Sequence, residues 1–223
     1  MEKNIAILMA DLTGYTALTE THGAVTAADL IDRYIQIAGK CLVGETRIHE
    51  RRGDEIMFVS DSSETLLATA LKLQANIASE ENFLQVHGGL HFGKVLERAD
   101  SYFGSSVNLV ARIASKAAAG TFWCSDDFID SIEDKSVCTF LSKGNHTFKN
   151  IKEKTEVFEL QVDQLNCHSI DPVCRMVIQD CQNAFYSSDE AGHYFCSDQC
   201  LAIYRKNLPK PTYREYNMCP IFN

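Results

Sequence analysis

The sequence predicts an α+β fold in which helices lie over a mainly antiparallel sheet, and three observations carry that prediction. Strand-like and helix-like segments alternate without strict βαβ regularity, which points away from an all-parallel sheet. The run Ile5–Ala10 is apolar throughout, the pattern of a central strand covered on both faces. The stretch Ile48–Val59 reads as two arms meeting at Arg52-Gly53-Asp54-Glu55, and Gly-Asp at such a junction marks a hairpin turn.

The remaining elements follow in order. Leu12-Thr13-Gly14-Tyr15-Thr16, after the first strand, has the look of a phosphate-cradling turn that leads into a helix. Thr26 to Leu42 reads as that helix, with Thr26 as N-cap and Ala27, Leu30, Ile31, Tyr34, Ile35, Ala38, Cys41 and Leu42 on one stripe. Ser63 to Ser79 reads as a second amphipathic helix that turns Leu66, Leu67, Ala70, Leu71 and Leu73 inward. Val86, Gly88, Leu90 and Phe92 alternate with His87, Gly89 and His91. That is the period of a half-buried strand, with both histidines expected on the exposed side. Gly104 breaks the chain and a helix starts near Ser105, setting Asn108 and Arg112 at i and i+4 on one face. Then come a strand at Thr121–Cys124, a helix at Asp126–Ile132, a strand at Val137–Leu141 and a hairpin from His146–Lys149 and Glu156–Leu160.

Bulk properties bound the function. The 223 residues have room for one substantial domain and a small one, and 45% apolar content is enough for a buried core. A formal charge of −9 argues against a nucleic-acid partner, since phosphate backbones demand a basic face. No apolar run approaches ~18 residues, so no membrane span is expected. The nine cysteines, with no secretory signal, are expected to be reduced thiols in the cytoplasm, clustered for metal where they cluster. Composition shifts around Gln164–Asn166, and six of the nine cysteines follow it. The expected organisation is a domain over 1–162, a linker over 163–170, a small unit over 171–215 and a tail over 216–223.

An Asp at a hairpin tip is by default a turn former. What singles out Asp54 is a second carboxylate, Asp11, at the end of strand Ile5–Ala10 and next to the phosphate-type turn. Two carboxylates at adjacent strand ends beside a backbone anion site suit a hard cation carrying a triphosphate.

With these pieces in order, residues 1 to about 162 resemble the class III nucleotidyl cyclase catalytic domain. The motifs are Ala10-Asp11-Leu12-Thr13-Gly14-Tyr15-Thr16, Arg52-Gly53-Asp54-Glu55, Val107-Asn108-Leu109-Val110-Ala111-Arg112 and Phe148-Lys149-Asn150-Ile151. The resemblance implies a ferredoxin-like α+β domain that works as a homodimer with active sites at the interface. Asp11 and Asp54 would bind two Mg²⁺ or Mn²⁺ per site, Asn108 and Arg112 would stabilise the transition state, and Lys149 would contact the triphosphate. Asn150 stands where the family usually has Gly, so a different local turn is expected. Glu50 and Ser101 occupy the base-reading positions; Glu with Ser resembles the guanylate cyclases, which use Glu and Cys. A carboxylate accepts from guanine N1–H and the 2-amino group but opposes adenine N1. The implied activity turns a nucleoside triphosphate into its 3′,5′-cyclic monophosphate and pyrophosphate, guanylate ahead of adenylate. Its alternatives are an adenylate or pyrimidine cyclase, or a nucleotide-sensing module without turnover.

The C-terminal unit resembles the YHS/TRASH metal-associated modules in Asp171-Pro172-Val173-Cys174-Arg175-Met176 and Tyr194-Phe195-Cys196-Ser197-Asp198-Gln199-Cys200. Cys174, Cys196 and Cys200 would bind Zn²⁺ or another soft metal. Arg175 stands where the family usually has Gly. Cys167, His168, Cys181 and His193 are the candidates for a fourth ligand, and idle buried cysteines are the alternative.

Overall fold

Ile5 to Ala10 are all buried because they form the middle of a seven-strand path with side chains packed on both faces. The computed structural model describes residues 1–151, 154–161, 169–187 and 192–208. In chain order the first unit runs β1 (Glu2–Leu12), α1 (Tyr15–Cys41), β2 (Arg47–Arg52), β3 (Glu55–Ser60), α2 (Ser63–Ala78), β4 (Val86–Arg98) and β5 (Ser101–Phe103). It continues with α3 (Ser105–Ala114), β6 (Phe122–Ser125), α4 (Asp126–Asp130), β7 (Thr139–His146) and β8 (Thr155–Gln161). The sheet order is β2-β3-β1-β4-β6-β8-β7, with β5 paired on β4. Only β4–β6 is parallel. This is the expected α+β class.

Alternation along β1 divides the core. Ala6, Leu8 and Ala10 join Leu30, Tyr34 and Ala38 of α1 and Leu66, Ala70 and Leu73 of α2 in the main apolar cluster. Ile5, Ile7 and Met9 pack on the other face with Val110 and Ala114 of α3. Helix α3 comes very close to β4: a Cβ on Gly89 would lie 2.5 Å from Ala114 N and 2.7 Å from Val110 O. Only a residue without a side chain allows that approach, so Gly89 sets the height of the helix that carries Asn108 and Arg112.

Three expectations are corrected. Helix α1 starts at Tyr15 rather than near Thr26, which lies inside it and is exposed; Gly14 is the N-cap, and Gly23 (φ 85°, ψ 165°) breaks the helix after two turns. The apolar stripe after Thr26 is as expected, but Ala17 and Leu18 already begin it before the break. The strand and hairpin expected at Val137–Leu141 and His146–Lys149 are one strand, β7, which pairs with β8 around a bulge between Ser142 and Gly144. Val137 belongs to a short 3₁₀ turn before it. His87 and His91 are not exposed: β4 is covered on both faces, leaving His91 buried and His87 half-buried. Period-two alternation marks exposure only when one face of a sheet is open, and here α3 and α4 close the second face.

Among the described C-terminal residues are β9 (Ser169–Ile170), β10 (Val177–Ile178), β11 (Phe185–Tyr186), β12 (Tyr194–Phe195) and α5 (Asp198–Asn207). Asp171, fully buried, organises this unit: its carboxylate accepts from the backbone N–H of Val173 (2.7 Å), Cys174 (3.2 Å) and Cys196 (2.8 Å). Burial pushes its pKa up, but the three donors outweigh it and hold the carboxyl below its ordinary value. Cys174, Met176, Phe195, Cys200 and Leu201 join the main apolar cluster of the first unit. Val177 N donates to Phe83 O at 2.7 Å, and the Gln179 amide reaches the end of α2 at Ala78 O, 2.9 Å away. Residues 163–168 of the expected linker 163–170, and the expected tail 216–223, lie outside the described residues, while Ser169 and Ile170 at the end of that linker form β9 and pair with β10.

His91 yields a pH prediction. Its Nδ1 pairs with Ser125 Oγ at 2.8 Å, Asp127 lies 4.0 Å away, and burial lowers its pKa to about 4 despite Asp126 nearby. The unfolded chain binds a proton near the ordinary 6.5 and the folded chain does not, so the contribution of His91 to stability falls as pH drops from 6.5 towards 4. Chemical denaturation of the wild type and His91→Gln in parallel should show the wild type losing up to about 3 kcal/mol relative to the variant across this range.

Candidate functional site

The antiparallel register of β1 with β3 pairs Ala10 with Ile56, so the end of β1 meets the turn between β2 and β3. That brings together Asp11 and Asp54, both half-buried. Burial first, then repulsion by Asp54, raises the pKa of Asp11 to about 7. Asp11 Oδ1 is one of three buried side-chain oxygens or nitrogens without a hydrogen-bond partner among the described residues. A second is the hydroxyl of Tyr34, a wholly buried residue whose pKa is raised by burial and then by Asp11 and Asp54. A partly buried acid pair with a bare oxygen is costly unless a cation arrives. The donor set, hard carboxylate oxygens, fits Mg²⁺ or Mn²⁺.

Beside the pair, Gly14 (φ 94°) caps α1 in the left-handed conformation, with no side-chain cap and no acidic residue in the first turn. The first amides of α1 therefore keep their hydrogen-bonding capacity for an anion. Opposite Asp11 in the sheet is His87, whose Nδ1 pairs with Thr13 Oγ1 at 2.9 Å and whose pKa burial lowers.

Glu50 and Ser101 meet as well. Both line one pocket with Met9, Tyr102 and Phe103. A bulge in β2 lies between Ile48 and Glu50, and Glu50 is exposed, its Oε1 accepting from Arg52 Nε at 3.0 Å and forming an ion pair with Nη2, also 3.0 Å away. Asn108 and Arg112 lie on the exposed face of α3, opposite Val110 and Ile113. Lys149 is exposed in the loop after β7. None of these three lines the Glu50–Ser101 pocket. Asn150 has φ 67°, a left-handed conformation that glycine adopts freely and asparagine tolerates, so the turn after Lys149 needs no other shape.

Cys174, Cys196 and Cys200 are gathered by the Asp171 turn and the start of α5, and a fourth group joins them: His22 of α1. Sequence reading missed this residue, and its 174-residue separation from Cys196 left no spacing signal. Cys181 instead contacts Ser169 Oγ at 3.5 Å, and His193 packs edge-on against Tyr204. Cys167 and His168 lie outside the described residues. Of the three cysteines that the sequence places in core elements, Cys41 and Cys124 are buried and Cys138 is partly buried.

No family model matches the chain. It is 32% identical over 117 residues to an adenylate cyclase of Glutamicibacter nicotianae, covering 52% of this chain and 29% of that protein. The adenylyl cyclase CyaB of P. aeruginosa superposes with a TM-score of 0.64 at 19% identity, over 74% of this chain and 97% of that one. A guanylate cyclase domain from Catenaria anguillulae, solved with GTP, superposes at 0.60 and 19% identity, over 74% and 100%. The fold is thus of the nucleotidyl cyclase type. More narrowly, the chain carries the class III adenylate/guanylate cyclase catalytic-domain fold that its motifs resemble. It spans about 29% of the length of that curated relative and 39% of the length of another. No described helix is long and apolar enough to cross a membrane.

The raised pKa of Asp11 has a measurable consequence. The metal-free folded state holds this carboxyl protonated where the unfolded chain has released its proton, so the contribution of Asp11 to stability falls as pH rises from about 4 to about 7. Asp11→Asn should be more stable than wild type by about 1–2 kcal/mol at pH 8 in EDTA, and equal to it near pH 4. Urea titrations at the two pH values test this.

Proposed function

We propose that this chain is a divalent-metal-dependent nucleotidyl cyclase, converting a nucleoside triphosphate into its 3′,5′-cyclic monophosphate and pyrophosphate as a homodimer, with GTP preferred to ATP. The observation that carries the reading is the bare, buried Asp11 Oδ1 beside Asp54, at the uncapped amides of α1. A purely structural acid would be expected to have a donor on each buried oxygen, as Asp171 has.

In this reading Asp11 and Asp54 hold two Mg²⁺ or Mn²⁺ ions. When bound, such ions lower the pKa of the ribose 3′-hydroxyl and balance charge on the phosphate oxygens. The chain supplies the rest. The first amides of α1 receive phosphate oxygens, and Lys149 holds the pyrophosphate as it leaves. Arg112 offsets charge that builds on the α-phosphoryl group during in-line attack, and Asn108 orients the ribose. Asn108, Arg112 and Lys149 come from one protomer and the acid pair from its partner, which gives two equivalent sites in an isologous dimer. Their exposure in the single chain is what such sharing requires.

Base choice rests on Glu50 and Ser101 in one pocket. Both Arg52 contacts fall on Glu50 Oε1, so Oε2 remains for guanine N1–H and the 2-amino group, while Ser101 donates to O6. An adenylate cyclase is the second reading, favoured by the Arg52 contact, which reduces what Glu50 offers a base. We also propose that residues 1–162 are the catalytic domain, that 171–215 are a YHS/TRASH-like module after a linker at 163–170, and that the protein is cytoplasmic.

Purified protein incubated with Mn²⁺ or Mg²⁺ and each triphosphate separately should yield a cyclic monophosphate and pyrophosphate, identified by mass. No product with any of GTP, ATP, UTP or CTP would leave a nucleotide-sensing module. Asp54→Ala should abolish turnover with the fold retained, and Arg112→Ala should lower it by about 10²–10³. A mixture of the two variants should regain activity, because one hybrid site then has every residue; no recovery after verified subunit exchange overturns the shared site. Comparison of kcat/KM should favour GTP in the wild type and shift towards ATP by about tenfold or more in Glu50→Lys with Ser101→Asp.

A further inference from the structure

We propose that His22, Cys174, Cys196 and Cys200 form one closed tetrahedral zinc site, and that this site fastens the C-terminal unit to the helix leaving the phosphate-type turn. Three thiols from the C-terminal unit meet the Nε2 of a histidine from α1, all within 4.8 Å of one another. Tetrahedral zinc, with Zn–S near 2.3 Å and Zn–N near 2.0–2.1 Å, separates two sulfurs by about 3.8 Å and a sulfur from a nitrogen by about 3.6 Å. The observed Sγ–Sγ distances are 3.7 Å for Cys196–Cys200 and 3.4 Å for Cys174–Cys196. Nε2 of His22 lies 3.7 Å from Cys196 Sγ and 3.5 Å from Cys200 Sγ. Four of the six edges of the coordination polyhedron are thus near their tetrahedral lengths, and the other two are within 4.8 Å.

The supports around the ligands argue the same way. One buried carboxylate, Asp171, holds the amides of both Cys174 and Cys196, so the two loops that carry thiols are fixed to each other. Ser197 caps α5 by accepting from Cys200 N at 3.2 Å, which sets Cys196 and Cys200 one turn apart. Gln199 Nε2 donates to Thr21 O at 2.7 Å, tying α5 to the residue before His22. The break at Gly23 follows directly, ending the first segment of α1 at the cluster. Buried cysteines serving only as small apolar groups would have no need of an imidazole delivered from a separate element. Three thiolates and one imidazole, with every corner filled by protein, make a structural zinc site rather than an open catalytic one.

The consequence lies at the other end of the same helical segment. Arg175, next to Cys174, packs on Gly14: a Cβ there would be 2.6 Å from Arg175 Cβ. Arg175 is itself left-handed (φ 70°), a position that favours glycine. Zinc at the cluster therefore clamps the segment 14–22 at both ends, through His22 and through the Arg175–Gly14 contact.

The test uses the full chain and does not depend on nucleotide turnover. Protein purified without chelators should contain one zinc per chain by elemental analysis. Cobalt(II) replacement should produce the visible absorption of a tetrahedral thiolate-rich site. His22→Ala, with unchanged circular dichroism, should weaken zinc binding in a chelator competition by about 100-fold, at or beyond the upper end of the 10–100-fold typical of losing an outer-shell partner; His22→Cys should restore it. Loading zinc should slow amide exchange in peptides covering 14–22 and 171–178 together in the wild type, and only in the latter in His22→Ala. Equal zinc affinity in wild type and His22→Ala would overturn the proposal, as would no zinc binding at saturation or a Cys174–Cys196 disulfide in the freshly prepared protein.

Discussion

Strand β1 is buried on both faces and paired on both edges, and the rest of the molecule is arranged to make that possible. Its two faces need two separate apolar layers, which α1 and α2 supply on one side and α3 on the other. Burying one Leu- or Ile-sized side chain is worth roughly 1.5–3 kcal/mol, so six consecutive buried residues make β1 a rigid base from which to project a polar group. Asp11 is that group: it continues the row Ile5, Ile7, Met9 just where the layer ends. A carboxylate there is held firmly because a slip by one residue would swap the row Ala6, Leu8, Ala10 with the larger row Ile5, Ile7, Met9 between two layers packed to fit the present arrangement.

Two buried carboxylates in this chain show how surroundings decide their chemistry. Asp171 is fully enclosed but accepts three backbone N–H bonds, and its ionised form is favoured. Asp11 is less enclosed, has a bare oxygen and faces another acid, and its ionised form is disfavoured. The first contributes to stability, whereas the second costs stability in the absence of a cation. Such local costs are characteristic of sites kept for binding or catalysis rather than for folding.

The C-terminal unit is small and, among the described residues, its strands are two residues each. Elements this short cannot enclose a core of their own. Its apolar residues Cys174, Met176, Phe195, Cys200 and Leu201 instead extend the main cluster of the first unit, and Val177 docks by a backbone bond to Phe83. The unit therefore leans on the end of α2 and on α1, the helix that starts beside the acid pair, with Arg175 packed on the turn at Gly14.

The sequence by itself determined the class of fold, the central strand, the hairpin carrying Asp54 and the helix carrying Asn108 and Arg112. Each of these is written in local periodicity or turn chemistry, which is a property of neighbouring residues. It also brought out Asp11, Asp54, Glu50, Ser101 and the three cysteines, because motif spacing is local too. Tertiary structure alone decided the rest. The histidines of β4 looked exposed from alternation, but burial depends on what covers the second face, and alternation along one strand does not encode where α3 and α4 fold back. The start of α1 at Tyr15 was hidden because Gly23 interrupts the pattern, while packing beneath the first segment keeps it helical. His22 had no signal at all: a lone histidine on a helix acquires meaning only when folding brings three thiols from the far end of the chain to its ring.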